Sequence, residues 1–212
     1  DNGMEVDEVY KIKDVNVSTG HIKFEGSVII GGNVCEGMKV SASGDITIAG
    51  FVESAILESG GDITISGGII GRKQDVENEK VTDLHMSVSI TAKGKIYAKH
   101  CQYAEINSGS DTRIENQLMH SILDVGGDLW VGTEDKANGK LIGGYVKVGN
   151  SVSAGIIGAT AGSNTTINFE KRMLDFSVEL AEIDERLQID VSKTTELKIL
   201  TKKLKKLANQ EM

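Results

Sequence analysis

Four aspartates hold equivalent places in a recurring five-residue stretch, so a stacked column of carboxylates is the first chemistry to consider. Asp45 lies in Gly44-Asp45-Ile46-Thr47-Ile48 and Asp62 in Gly61-Asp62-Ile63-Thr64-Ile65. Asp111 lies in Ser110-Asp111-Thr112-Arg113-Ile114 and Asp128 in Gly127-Asp128-Leu129-Trp130-Val131. Such a column could hold Ca²⁺, but calcium-binding β-rolls repeat their aspartate about every nine residues. Here the copies lie much farther apart, and Lys95 of Gly94-Lys95-Ile96-Tyr97-Ala98 stands in the same column. An aspartate after glycine at a strand entrance reads more simply as a turn residue that bonds its own backbone.

The other reactive side chains fare no better. His21, His85, His100 and His120 form no i, i+4 pair and no zinc spacing. His100 and Cys101 are neighbours, and neighbours in a strand point to opposite faces, so they do not make a nucleophile–base pair. Ser18, Ser54 and Ser121 lack the nucleophile-elbow pattern. Gly67-Gly68-Ile69-Ile70-Gly71 lacks the Lys-Ser/Thr of a phosphate-binding loop and reads as a corner between strands. Cys35 and Cys101 lie far apart, fit no metal motif, and read as reduced thiols of a cytosolic protein. No catalytic, cofactor-binding or metal-ligating residue is therefore assigned. Arg72 and Lys73, the basic start of a polar insertion, form the candidate partner-binding pair. The lysines of 198–206 read as a solvated helix face.

The elements that would carry these residues are set by the repeat. Looser copies of the stretch are Gly26-Ser27-Val28-Ile29-Ile30 and the Lys95 and Asp111 segments. Copies begin at 26, 44, 61, 94, 110 and 127, so the interval is near 17 with one near-double step of 33. Short alternating strands at that period predict an all-β, single-stranded β-helix, or β-solenoid. Alternation puts Ile46 and Ile48 on one face and Thr47 on the other, with Ile63 and Ile65 stacked above. A second strand per turn is expected at 55–58, 104–107 and 121–125. At about 3.3 Å per residue a turn has a perimeter of roughly 55 Å, which suits a small triangular coil filled by aliphatic side chains. The six-residue pattern of left-handed hexapeptide coils is missing.

Composition agrees. Proline is absent, glycine reaches 25 of 212 residues, and aromatics make up only 4%, so Ile, Val, Leu and Ala must fill the core. The net charge of -8 argues against a general nucleic-acid binder. No apolar run approaches the roughly 18 residues of a membrane span.

In chain order, residues 1–20 are expected to be a lead-in from a missing N-terminal domain, and 21–169 the β-helix. The near-double step is a polar surface insertion at 72–87, with the pattern resuming at Val88. The coil closes with Val152, Ala154, Ile156, Ile157 and a strand near 165–169. Residues 170–212 change period. Met173, Phe176, Leu180, Ile183 and Leu187 form a heptad seam, and Leu197, Leu200, Leu204 and Leu207 form another, out of phase. A break is placed at 188–195. The segment 170–190 holds seven acids and three bases, and 194–212 five bases and two acids, which favours a helical hairpin over one interrupted coiled-coil helix.

Ser18-Thr19-Gly20, Gly26-Ser27-Val28-Ile29-Ile30-Gly31-Gly32-Asn33-Val34, Gly37-Met38-Lys39-Val40, Gly44-Asp45-Ile46 and Gly67-Gly68-Ile69-Ile70-Gly71, in that order, resemble the bacterial flagellar assembly protein A family. Leu141-Ile142-Gly143-Gly144 and Ile156-Ile157-Gly158 resemble its later turns. The Gly-Asp-Ile style also resembles the C-terminal coil of the division inhibitor MinC, and bactofilins are similar in architecture. The resemblance implies a right-handed β-helix followed by a coiled coil. It implies a non-enzymatic, cytoplasmic role in flagellar assembly or localisation at the cell pole. It implies the glucose-specific IIA component of the sugar phosphotransferase system as a partner, and no cofactor. The leading reading is thus a scaffold or protein-interaction module whose coiled coil fixes an oligomeric state. A polymer-forming, MinC-like solenoid and a carbohydrate-active β-helix enzyme are the alternatives.

Overall fold

The computed structural model describes residues 8–74, 85–159, 162–169 and, towards the C-terminus, 183–184, 186–188, 190–194 and 198. The chain divides into two units, Asp1–Glu170 and Lys171–Met212.

The first unit is a parallel β-solenoid with three faces, each built by pairing the same segment of successive turns. On the first face Val28, Ile46, Ile63, Ile96, Thr112, Leu129 and Val152 lie in one register column. On the second, Val15, Val34, Val52, Ile69, Cys101, Leu118, Leu141 and Ile157 line up. On the third, Ile22, Val40, Leu57, Ile90, Ile106, Leu123, Val146 and Ile167 do so. These columns meet along the axis. Ile46, Ile63, Val52, Ile69, Val40 and Leu57 are all fully buried. Each aliphatic side chain so buried contributes about 1.5–3 kcal/mol relative to exposure, which makes the ladder the main driving force. The core opens at the last turn, where Ile157 is 51% exposed in the column where Leu141 is fully buried.

The turns therefore have three strands, where the sequence reading placed two. The second face was missed because its early rungs are single-residue bridges at Val15 and Val34. Its later rungs, around His100-Cys101-Gln102 and Gln117-Leu118-Met119, mix polar and apolar residues without a clear alternation. The coil also starts earlier than expected: strand Val9–Ile12 pairs with Ser27–Ile30, so the first rung lies inside the supposed lead-in. The corner between the second and third faces needs left-handed backbone. Ser54 (φ 42°), Tyr103 (51°) and His120 (47°) adopt it, as does Gly143 (63°). Left-handed backbone accounts for the glycine of Leu141-Ile142-Gly143-Gly144, whereas Gly71 of the Gly-Gly-Ile-Ile-Gly stretch is needed for room, because a Cβ there would collide with the Tyr103 carbonyl.

The insertion leaves at that corner. Lys73–Gln74 pairs antiparallel with His85–Met86, and the Arg72 N–H donates to Ser87 Oγ at 2.7 Å, closing the stem. Val88–Ala92 then resumes the coil as expected. A second outgrowth, 132–139, was not anticipated. It separates Leu129–Val131 from Lys140–Val148 and stretches that turn, so that Val152 pairs with Leu129.

Thr112 breaks the aliphatic rule of the first face's inward column. Thr112 is fully buried between Ile96 and Leu129, and its hydroxyl has no hydrogen-bond partner among the described residues. Thr112→Val removes that unsatisfied group with little change of shape and is expected to raise stability by about 1 kcal/mol in urea denaturation. A loss of stability would mean that the hydroxyl bonds a group inside the coil.

In the second unit the described residues are helical. Gln188 and 190–194 are among them, so the break placed at 188–195 is not found at those positions. The Thr194 hydroxyl donates to the Asp190 carbonyl at 2.8 Å, which lets a β-branched residue sit in a helix. Met173, Phe176, Leu180, Leu197, Leu200, Leu204 and Leu207 lie outside the described residues, as does the choice between hairpin and single helix. Ile183 and Leu187 are both more than half exposed. No described helix is long and apolar enough to cross a membrane.

Candidate interaction surface

The aspartate column is structural, but not in the way the sequence reading held. Asp45 Oδ1 accepts the Asp62 N–H at 2.8 Å, Asp62 Oδ1 accepts the Lys95 N–H at 2.7 Å, and Asp111 Oδ1 accepts the Asp128 N–H at 3.1 Å. Each carboxylate thus bonds the backbone of the next turn, not its own. At the adjacent corner Asp14 Oδ1 takes the Asn33 N–H and Asn33 Oδ1 the Phe51 N–H, at 2.9 and 2.8 Å. The glycine of the Gly-Asp pair follows from this. A Cβ on Gly61 would collide with Asp45 Oδ1, and one on Gly94 with Asp62 Oδ1. Gly-Asp is therefore a stacking code in which the glycine of one turn makes room for the carboxylate of the turn before.

Lys95 interrupts the series of carboxylates but stays bonded within the column. Its N–H takes the Asp62 carboxylate and its Nζ lies 3.1 Å from Asp111 Oδ2. The Asp111 pKa is held below the usual carboxylate value, first by the Asp128 N–H and then by Lys95. A carboxyl with a lowered folded pKa adds stability above its unfolded pKa of about 3.9, and that stability is lost as pH falls through the folded value. Asp111→Asn should therefore flatten the loss of thermal stability between about pH 5 and pH 3. An unchanged acid limb would contradict the assignment. Among the described residues no group of three His, Cys, Asp or Glu is placed to hold a metal.

The His100–Cys101 pair is split as expected. Cys101 points into the core, where burial pushes its thiol up to about 12, and Ser121 Oγ lies 3.6 Å from its sulfur. His100 lies on the other side of the strand, its Nε2 3.4 Å from Asn116 Nδ2.

The outward column of the first face carries the most distinctive side chains. Through most turns it is small or aliphatic, as at Thr47 and Thr64, but three successive turns present Tyr97, Arg113 and Trp130. The Arg113 guanidinium lies 5.5 Å from the Tyr97 ring centroid, and Arg113 Nε is buried without a hydrogen-bond partner among the described residues. The Tyr97 hydroxyl donates to Glu115 Oε2 at 2.7 Å, which, ahead of burial, raises the phenol pKa. Trp130 Nε1 donates to the Thr133 carbonyl of the second outgrowth at 2.8 Å. Together with Lys95, Asp111 and Asp128 these three line a shallow groove of about 380 Å³.

The model of the Flagellar Assembly Protein A beta solenoid domain matches residues 8–212. The chain belongs to this family. No curated protein and no solved structure matches it. The family is one of flagellar assembly proteins and is not a known enzyme family.

Arg72 and Lys73 lie on a different part of the coil, at the root of the insertion. Arg72 pairs with Glu36 at 3.1 Å, and both side chains are largely exposed, so the pair contributes little to stability. Nothing brings Arg72 and Lys73 towards the Trp130 groove: they stand at the corner of the second and third faces. Sequence reading missed the groove although a signal was present. The fourth position of the repeat reads Thr47, Thr64, Tyr97, Arg113, Trp130, a change from small to large on the solvent side.

Proposed function

We propose that this flagellar assembly module is a non-enzymatic scaffold that binds a protein partner through the Tyr97–Arg113–Trp130 column. The observation that carries the reading is the side-by-side placement of one Trp, one Arg and one Tyr on a hydrogen-bonded sheet face. These are the residue types that dominate protein–protein binding energy, and here they are held with little rotamer freedom left to lose. The family resemblance supplies the rest of the proposal. The partner is the glucose-specific IIA component of the sugar phosphotransferase system, and the site of action is the cytoplasm at the cell pole. The coil is right-handed, as crossovers between parallel strands overwhelmingly are. The C-terminal heptads form a coiled coil that fixes the oligomeric state.

Calorimetric titration with the purified IIA component tests this. Arg113→Ala and Trp130→Ala should each weaken binding about tenfold or more, while replacing 75–84 by a short glycine linker should leave it unchanged. The reverse pattern would move the contact to the insertion rooted at Arg72 and Lys73. No heat with the unaltered chain would remove this partner.

A second reading, end-to-end polymerisation, is favoured by the open last turn, where Ile156 and Ile157 are each 51% exposed and Phe169 42%. Sedimentation of one discrete small species at high concentration would dismiss it.

A further inference from the structure

The charges around the Trp130 groove are not evenly satisfied. The Lys95 ammonium is held by Asp111, and the Arg113 guanidinium lies against the Tyr97 ring. Glu115 takes the Tyr97 hydroxyl. That leaves two carboxylates. Asp128, which lines the groove two residues before Trp130, accepts through its side chain the Ser151 hydroxyl at 2.7 Å and no other donor among the described residues. Glu134 is exposed on the second outgrowth, next to Thr133, whose carbonyl takes the Trp130 indole N–H at 2.8 Å. Neither pairs with a cation among the described residues. An indole flanked by two unpaired carboxylates, on a chain of net charge -8, attracts a cation. A guanidinium suits it better than an ammonium, because it is flat, weakly hydrated, stacks on aromatic rings and bonds carboxylates bidentately.

We propose that the groove beside Trp130 receives an arginine side chain presented by an exposed segment of the protein partner, with Asp128 and Glu134 as its counter-charges. The proposal rests on the scaffold reading of the same surface and adds the chemistry by which the partner is read.

Trp130 is the only tryptophan in the chain, so its emission reports the site directly. The full chain would be titrated with a blocked glycine-spaced peptide carrying three arginines. Parallel titrations would use the same peptide with lysine or glutamate in those places, and a neutral disaccharide. The expected result is a saturable change with the arginine peptide, about tenfold weaker for lysine, weakened by salt, and absent for glutamate. Glu134→Gln, on an exposed outgrowth, should weaken arginine binding several-fold without moving the melting temperature. Asp128→Asn should do the same, with its melt checked because its backbone joins two turns. No saturable change, an equal response to glutamate, or a response to the disaccharide that both variants leave intact would each overturn the proposal. If Trp130→Ala weakens the IIA component while the arginine peptide fails to bind, the scaffold reading stands and the arginine assignment falls.

Discussion

Ile63→Ala is expected to lower the unfolding free energy by about 4 kcal/mol, at the upper part of the range for deleting a buried aliphatic side chain. Ile63 is fully buried, stacked between Ile46 and Ile96 on the first face. The cavity it would leave cannot close easily. The rungs above and below are held at their spacing by parallel backbone hydrogen bonds on all three faces, and collapse would have to break them. Thr64, the next residue, points to solvent from the same strand, and Thr64→Ala is expected to cost under about 1 kcal/mol. Urea denaturation of the two variants separates ladder from surface. Because each turn touches only its neighbours, Ile63→Ala should also lower the m-value as the turns on either side uncouple. Equal costs for the two variants would contradict an inward ladder.

Gly61→Ala is expected to cost about 3 kcal/mol, although alanine is the smallest side chain that could be added. Its Cβ would occupy the position of Asp45 Oδ1, so either the carboxylate swings away and abandons the Asp62 N–H, or the two turns separate. Asp45→Ala alone should cost about 1 kcal/mol, the worth of one hydrogen bond. The double variant should cost about 2 kcal/mol, well below the sum, because removing the carboxylate opens the space that the new methyl needs. Simple additivity would show that the glycine is required for another reason.

These two positions also explain what was legible in the sequence. The first face could be read because Gly-Asp-Ile-Thr-Ile packs three requirements into five residues: room for the turn before, a bond to the turn after, and two core methyl-rich side chains. The third face could be read from alternation alone, as at Ile56–Ser59 and Ala104–Ser108. The second face could not, because a rung of one inward residue, such as Val34, leaves no periodicity to detect. The choice between an aspartate bonding its own turn and bonding the next is not encoded locally, since both use the same residue at the same place. The outgrowth at 132–139 hid behind Gly139, which looks like one more corner. The Trp130 groove was missed for a different reason, although the fourth position of the repeat signals it. Tyr97, Arg113 and Trp130 are many residues apart, and only the register of the coil makes them neighbours.

That register is the claim on which the rest stands, and its hardest case is the step across the insertion, where Thr64 pairs with Tyr97. Pyrene attached at Thr64→Cys and Tyr97→Cys tests it, in a chain carrying Cys35→Ser and with buried Cys101 left protonated by its pKa of about 12. Adjacent outward positions on paired strands sit roughly 5 Å apart, within stacking distance for two labels. Strong excimer emission from the folded double-labelled chain, lost on unfolding, is the expected result. Monomer emission alone would place the two turns out of step, and with them the groove.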